Sequence, residues 1–493
     1  MRKISSKKYL YILITIFWIV TMTALIIKQY MPEGLQRISS PSPLPDELYE
    51  EQWMGAYFQG EKIGYAYRKI TELENGYEIS DRLKVRLRMI GADKDIETVL
   101  DAHTDRFLRL KSFTFRLRSD VPMDITGNVQ GSSLLVTMKT GDVTSRKKMH
   151  LTEHPYLNLS IVPYVLRKGL KTGNTVTIPV INPMDMSQEY LNVEVLGKDY
   201  LMSMGKRKSV YKMKGSFDGF DTMIWLTEQG EVLREDSPTG FSLVKEEKDS
   251  AVKLTKPSID VVTQVSIPFN LLVSTDTIKY LKVRLSGIDL KRLEVDGGRQ
   301  RLKGDVLEIT QESRESMVVH DLPSTLFLEE GRGIFLNEYL KETTFVQSKD
   351  PAIVALSKEI IGEQRDLLEM TRMIYEWVYK NIKKVPMITM PVATEVLSMR
   401  QGDCNEHAVL FTALSRSAGI PTRIASGLTY RNGSFYYHAW PEVYFNEWVA
   451  VDPTLGQFPA DASHIRLLTG DIDKQVQLIS IIGKLKLEGI EYR

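Results

Sequence analysis

The sequence predicts an α+β protein: an N-terminal transmembrane helix, a long antiparallel β-rich region, and a C-terminal core of helices followed by a small sheet. Three observations predict it. Residues 9–27 form an uncharged apolar run, residues from about 49 to 260 alternate apolar and polar side chains, and helical spacing followed by a hairpin signal begins after about residue 350. The chain has 493 residues, enough for about three domains at roughly 100–200 residues each. Its 64 basic and 63 acidic residues nearly cancel, so no global field points to nucleic acid. With a single cysteine, Cys404, it can form neither an internal disulfide nor a multi-thiolate metal cluster.

A helix over residues 9–27 would be about 28 Å long at roughly 1.5 Å per residue, close to the hydrocarbon thickness of a bilayer. Arg2, Lys3, Lys7 and Lys8 precede the run and Lys28 follows it. The positive-inside bias then keeps the amino end in the cytoplasm and puts the body outside, in the periplasm or cell envelope. A cleaved signal peptide is the rival reading, opposed by the length of the run and the lack of an Ala-x-Ala-like site after it. Residues 1–28 are therefore assigned to a cytoplasmic tip and anchor, and the Pro- and Ser-rich residues 29–48 to a linker.

Residues 49–260 read as an antiparallel β-rich domain. Stretches such as 77–90 (YEISDRLKVRLRMI) and 133–140 (SLLVTMKT) have the period-two pattern of strands with one wet face. Residues 261–345 read as a small β module or a continuation of that domain, around the turn Asp296-Gly297-Gly298. No Gly-rich phosphate loop is recognisable there, because the glycines lack a strand-to-helix setting. Residues 346–493 form the last unit. Its first helices are expected at 352–361 and 366–382, the second with Leu367, Met370, Ile374, Trp377, Val378 and Ile382 on one stripe.

The chemistry is concentrated in residues 402–419 (GDCNEHAVLFTALSRSAG). Asp403 followed three residues later by Glu406 is a capping-box start, and Gly419 with Pro421 ends the helix. Cys404 then opens the helix at its positive end, where a thiolate is favoured and unpaired backbone N–H groups can meet an oxyanion. Gln401, Ser398 and Trp377 are the candidates for a second oxyanion donor.

A nucleophilic thiol needs a base and an orienter. Residues 422–430 and 435–445 read as strands joined through Asn432-Gly433, and residues 448–452 as a third strand closed by Pro453. A hairpin centred on Phe445 sets His438 opposite Asp452, with a register slip of a residue or two allowed. His438 would carry the proton and Asp452 would hold its tautomer. Rival readings keep Cys404 as an inert core thiol, or place zinc on Cys404, His407, His438 and Asp452. His464 reads as structural, and Glu442 as a solvated or paired carboxylate.

The run GDCNEHAVLFTALSRSAGIPTRIASGLTY, followed by YYHAWPEVYF and WVAVDPT, resembles the transglutaminase-like superfamily of papain-type cysteine enzymes over about residues 366–464. The matching positions are Cys404, His438 and Asp452. The resemblance implies a papain-like core with the nucleophile at a helix start and His and Asp on adjacent strands. It also implies acyl transfer or hydrolysis of amide bonds in peptides or proteins through a thioester, with no cofactor. The whole chain is similar to membrane-anchored bacterial members with a β-rich N-terminal portion. Asp403 and Asn405 flank the cysteine where animal crosslinking transglutaminases carry Gln and Trp, a departure that bears on glutamine–lysine crosslinking. The alternative from another class is a catalytically silent envelope scaffold that binds a partner through its β-rich region.

Overall fold

The alternation read from residue 49 onward builds a single very wide antiparallel sheet. In the computed structural model, which describes residues 43–493 apart from 142, 183–186, 218–219, 255–257, 272–276, 314 and 318–335, this sheet has fourteen strands. They run from β1 (Gln52–Phe58) to β8 (Val143–His150), and from β9 (Thr175–Asn182) to β14 (Phe241–Lys245). The two series meet where β1 pairs with β14, so β8 and β9 form the outer edges. Strand β5 (Leu110–Arg118) shows why one face packs. Leu110, Phe113, Phe115 and Leu117 are buried, while Lys111 and Arg118 between and beyond them face water.

The apolar run at residues 9–27 and most of the 29–48 linker lie outside the described residues. Among the described residues, no helix is long and apolar enough to cross a membrane.

The 261–345 region contributes a separate sheet. The region holds β15 (Ile267–Pro268), which joins another sheet, and β16 (Tyr280–Ser286), β17 (Gln300–Lys303) and β18 (Val306–Thr310). Strands β17, β18 and β16 form a four-stranded sheet whose last member is β25 (Lys486–Tyr492), from the carboxyl end of the chain. The division drawn at residue 346 thus does not separate two sheets. Alternation identifies a strand but not its partner, and here the partner lies some two hundred residues away in sequence.

Helices Pro351–Ile361 and Leu367–Asn381 start as expected, on Asp350 and Asp366, whose side chains accept from Ala352 N–H and Glu369 N–H. Their apolar stripe packs with helix Cys404–Ser417 against the sheet of β21 (Thr422–Arg431), β22 (Ser434–Tyr444), β23 (Trp448–Ala450) and β24 (Ile465–Thr469). Ile353, Ile374, Val378, Phe411, Leu414, Val443 and Val449 form this core, all shielded from water. Strand β15 adds to the edge of β22, which binds the small module to the C-terminal sheet.

The wide sheet also touches this core. Phe345 and Val392 pack among Phe113, Phe115 and Leu117. Ile388 is held by Asp120, which accepts its N–H, and by Ser119, whose hydroxyl donates to its carbonyl.

Candidate active site

The helix Cys404–Ser417 begins because its first turn satisfies its own orphan donors. Asp403 accepts from Asn405 N–H at 3.0 Å, and Glu406 reaches back to accept from Asp403 N–H at 2.8 Å. Both halves of the capping box are present. Glu406 is buried and takes a further hydrogen bond from the Thr389 hydroxyl. This fixes the entry of the chain and places Cys404 as the first helical residue, half-buried against the helical core.

Cys404 packs against the core that includes Ala439, and the backbone N–H of Ala439 favours its anion. Ala439 directly follows His438 on β22, so helix start and strand bring thiol and imidazole to neighbouring positions. The electrostatics of the thiol differ from those expected of a helix N-terminus. Burial, and then the charge of Asp403, push it well above its ordinary value, and the Ala439 N–H opposes this only in part. Nearby Glu406 and Asp452 push the same way. Asp403 is itself raised by burial and by Glu406.

His438 and Asp452 meet, though not as cross-strand partners. The register pairs Glu442 with Ala450 and Tyr444 with Trp448, two residues off the pairing that would oppose His438 to Asp452. Strand β23 stops at Ala450, and the carboxylate comes from the turn that follows it. There Oδ1 accepts from the N–H groups of Thr454 at 2.7 Å and Leu455 at 2.9 Å. Oδ2 accepts from His438 Nε2 at 2.7 Å, which leaves Nδ1 as the other nitrogen of that ring. Burial alone would raise the Asp452 carboxyl, but the two histidines hold it well below the usual carboxylate range. Trp440, fully buried, lies under the His438 ring with centroids 6.1 Å apart.

His464, read from the sequence as structural, also meets Asp452. It is fully buried on β24's approach, with Nε2 3.0 Å from Asp452 Oδ2 and Nδ1 3.2 Å from Asp461 Oδ1. The only signal in the sequence was the spacing Asp461-x-x-His464 shortly after Asp452. Glu442 is buried and paired with Arg423 at 2.6 Å and Arg466 at 3.4 Å, one of its two sequence readings.

The other candidates are distributed around this centre. Trp377 is half-buried beneath the Arg400 guanidinium, 4.5 Å from its ring. Gln401 sits in β20 (Gln401–Gly402), paired with β19 (Lys383–Lys384), and Ser398 is exposed. Lys384 lies over the Tyr379 ring at 4.0 Å.

The four-ligand zinc set does not assemble. His407 turns Nδ1 to the Asp403 carbonyl at 2.6 Å. Among the described residues, the group that could share an ion is His438, Asp452 and His464. Their 2.7 and 3.0 Å separations are hydrogen-bond lengths, shorter than the roughly 3.3 Å between ligand atoms about a tetrahedral ion with bonds of roughly 2.0–2.2 Å.

Residues 354–453 match the family model of the transglutaminase-like superfamily. This segment is a transglutaminase-like domain. It contains Cys404, His438 and Asp452, and stops before His464. The comparison with curated proteins gave no match. Similar solved structures include a candidate cysteine protease from Cytophaga hutchinsonii, 17% identical over 46% of this chain and 83% of that one, with a TM-score of 0.28. A β-barrel-like protein of a domain of unknown function from Brucella abortus is 9% identical over 40% and 94%, with a TM-score of 0.32. A candidate protease from Parabacteroides distasonis is 11% identical over 72% and 69%, with a TM-score of 0.20.

Proposed function

We propose that the transglutaminase-like domain catalyses thiol-dependent acyl transfer from, or hydrolysis of, amide bonds in peptides or proteins. The observation that carries this reading is His438, hydrogen-bonded through Nε2 to a buried carboxylate and adjacent to Ala439, which lies in the core against which Cys404 packs. Because burial keeps Cys404 a neutral thiol at rest, His438 acts as a general base at the moment of attack. The sulfur adds to the amide carbonyl as His438 takes its proton. That proton then passes to the leaving amine, the C–N bond breaks and a thioester remains. Water or an amine attacks the thioester, loses a proton to His438, and returns Cys404 to the thiol. Asp452 keeps the Nε2 proton in place and stabilises the imidazolium.

The apolar run at residues 9–27 and its basic flank support anchorage in a membrane with this domain outside the cytoplasm. The test is an electrophilic thiol probe applied to the full chain, followed by mass spectrometry of exposed envelope proteins. Cys404 is expected to be labelled, and labelling is lost in Cys404→Ala and strongly slowed in His438→Gln. New peptide termini would assign hydrolysis, and isopeptide bonds transfer. A thiol that reacts no faster in the wild type than in His438→Gln would overturn the proposal.

A further inference from the structure

Resting on the reading just given, we infer that His464 is a positioning residue held as an imidazolium, completing a buried series Asp461–His464–Asp452–His438 that extends the site beyond the matched domain. A neutral imidazole carries one N–H and one lone pair, so it can donate to only one carboxylate. Here both ring nitrogens face carboxylate oxygens, at 3.0 and 3.2 Å. Both carboxylates are independently furnished with donors. Asp452 Oδ1 accepts from two backbone amides. Asp461 Oδ1 accepts from Ser463 N–H at 2.9 Å and from the Ser463 hydroxyl at 2.6 Å. Such acceptor-rich settings favour the ionised carboxylate, and a lone pair turned towards either one would be repelled. A doubly protonated ring satisfies both contacts.

The surroundings agree. His464 is wholly shielded from water, with Trp440 edge-on at 5.0 Å and the His438 ring at 5.7 Å. Arg299 faces the same turn, donating to the carbonyls of Ala460 and Asp461, with Glu312 at 3.3 Å. Burial opposes charge on His464, but its two carboxylates outweigh this and raise it above the ordinary histidine value.

The consequence for the site is specific. Asp452 Oδ2 is shared between two histidines, so its charge is not available to His438 alone. His464 thereby holds from behind the same oxygen to which His438 donates. Replacing it by glutamine keeps a neutral donor near Asp452 and removes the buried positive charge. Proton affinity at the site then rises. The pH midpoint for alkylation of Cys404 by iodoacetamide is expected to move upward by at least about one unit.

The direct test is 15N imidazole NMR of the full chain. One histidine with both ring nitrogens protonated is expected at about pH 8, above the ordinary histidine value of about 6.5. That signal disappears in His464→Gln. If this variant fails to fold, Asp461→Asn provides the assignment, since it perturbs only the ring whose Nδ1–H it accepts. Finding every histidine neutral at that pH overturns the inference. So does a His464→Gln alkylation profile superimposable on the wild type. The NMR signature does not depend on a reactive thiol, so failure of the acyl-transfer reading would appear separately, as a wild-type Cys404 that His438 does not accelerate.

Discussion

Asp120, in the turn after β5 of the wide sheet, accepts the backbone N–H of Ile388 at 3.0 Å and so holds the segment that leads to the thiol helix. The segment then returns the contact inward. Thr389 donates to Glu406, one of the two members of the capping box in front of Cys404, and the Met387 amide favours the anion of the other, Asp403. The β-rich region is therefore mechanically joined to the start of the helix that carries Cys404.

Asp120→Ala removes this hydrogen bond and the 2.8 Å ion pair with Lys94. A loss of about 1–2 kcal/mol in urea unfolding is expected. Slower labelling of Cys404 should accompany it, although Asp120 is remote from the thiol. Labelling unchanged at equal stability loss would show that the wide sheet does not organise the site.

Asp452→Asn keeps the shape of the side chain and removes its charge. With an amide in place of the acceptor, the His438 tautomer is no longer held, and probe labelling should fall by about 10³-fold or more. The same variant has a pH signature. A carboxyl held below its unfolded value near 3.9 contributes stability that is full above that value and is lost as pH falls below it. Asp452 is such a group, and Asp403, raised by burial, has the opposite sign. The stability gap between wild type and Asp452→Asn should thus be widest between about pH 5 and 6.5, narrow in more acidic solution as the carboxyl protonates, and narrow again in alkaline solution as His464, which Asp452 helps to hold protonated, loses its proton. Urea midpoints measured across that range check it.

Gly427 stands opposite His438 in the β21–β22 pairing. A Cβ there would collide with the backbone carbonyl oxygen of Ile465, one residue after His464. Backbone cannot move aside as a flexible side chain can, so Gly427→Ala must spread β21 from β24. A loss of about 1–3 kcal/mol is expected, together with weakened Cys404 labelling as His438 and His464 are displaced. Equal labelling in a destabilised variant would confine the effect to packing.

Local chemistry was the legible part of the sequence. The helix start at Cys404 could be read because Asp403 and Glu406 lie three residues apart and act on amides of their own turn. The hairpin at Asn432-Gly433 and the helices beginning at Pro351 and Leu367 were legible for the same reason. The less local the interaction, the less was visible. The pairing of His438 with Asp452 was read from a hairpin register, yet the observed register is shifted and a turn, not a strand, delivers the carboxylate.

By itself the sequence determined where the helix that carries the thiol begins and set apart the thiol, imidazole and carboxylate as candidates. Capping, periodicity and turn signals act within a few residues and need no partner from elsewhere in the chain. The tertiary structure alone decided that β25 completes the small module and that the turn after β5 grips the segment leading to the Cys404 helix. It also decided that His464 stands behind Asp452 and that the thiol at the helix start packs against the helical core. Each of these is fixed by which distant groups exclude water from one another, and that is a property of the folded chain as a whole.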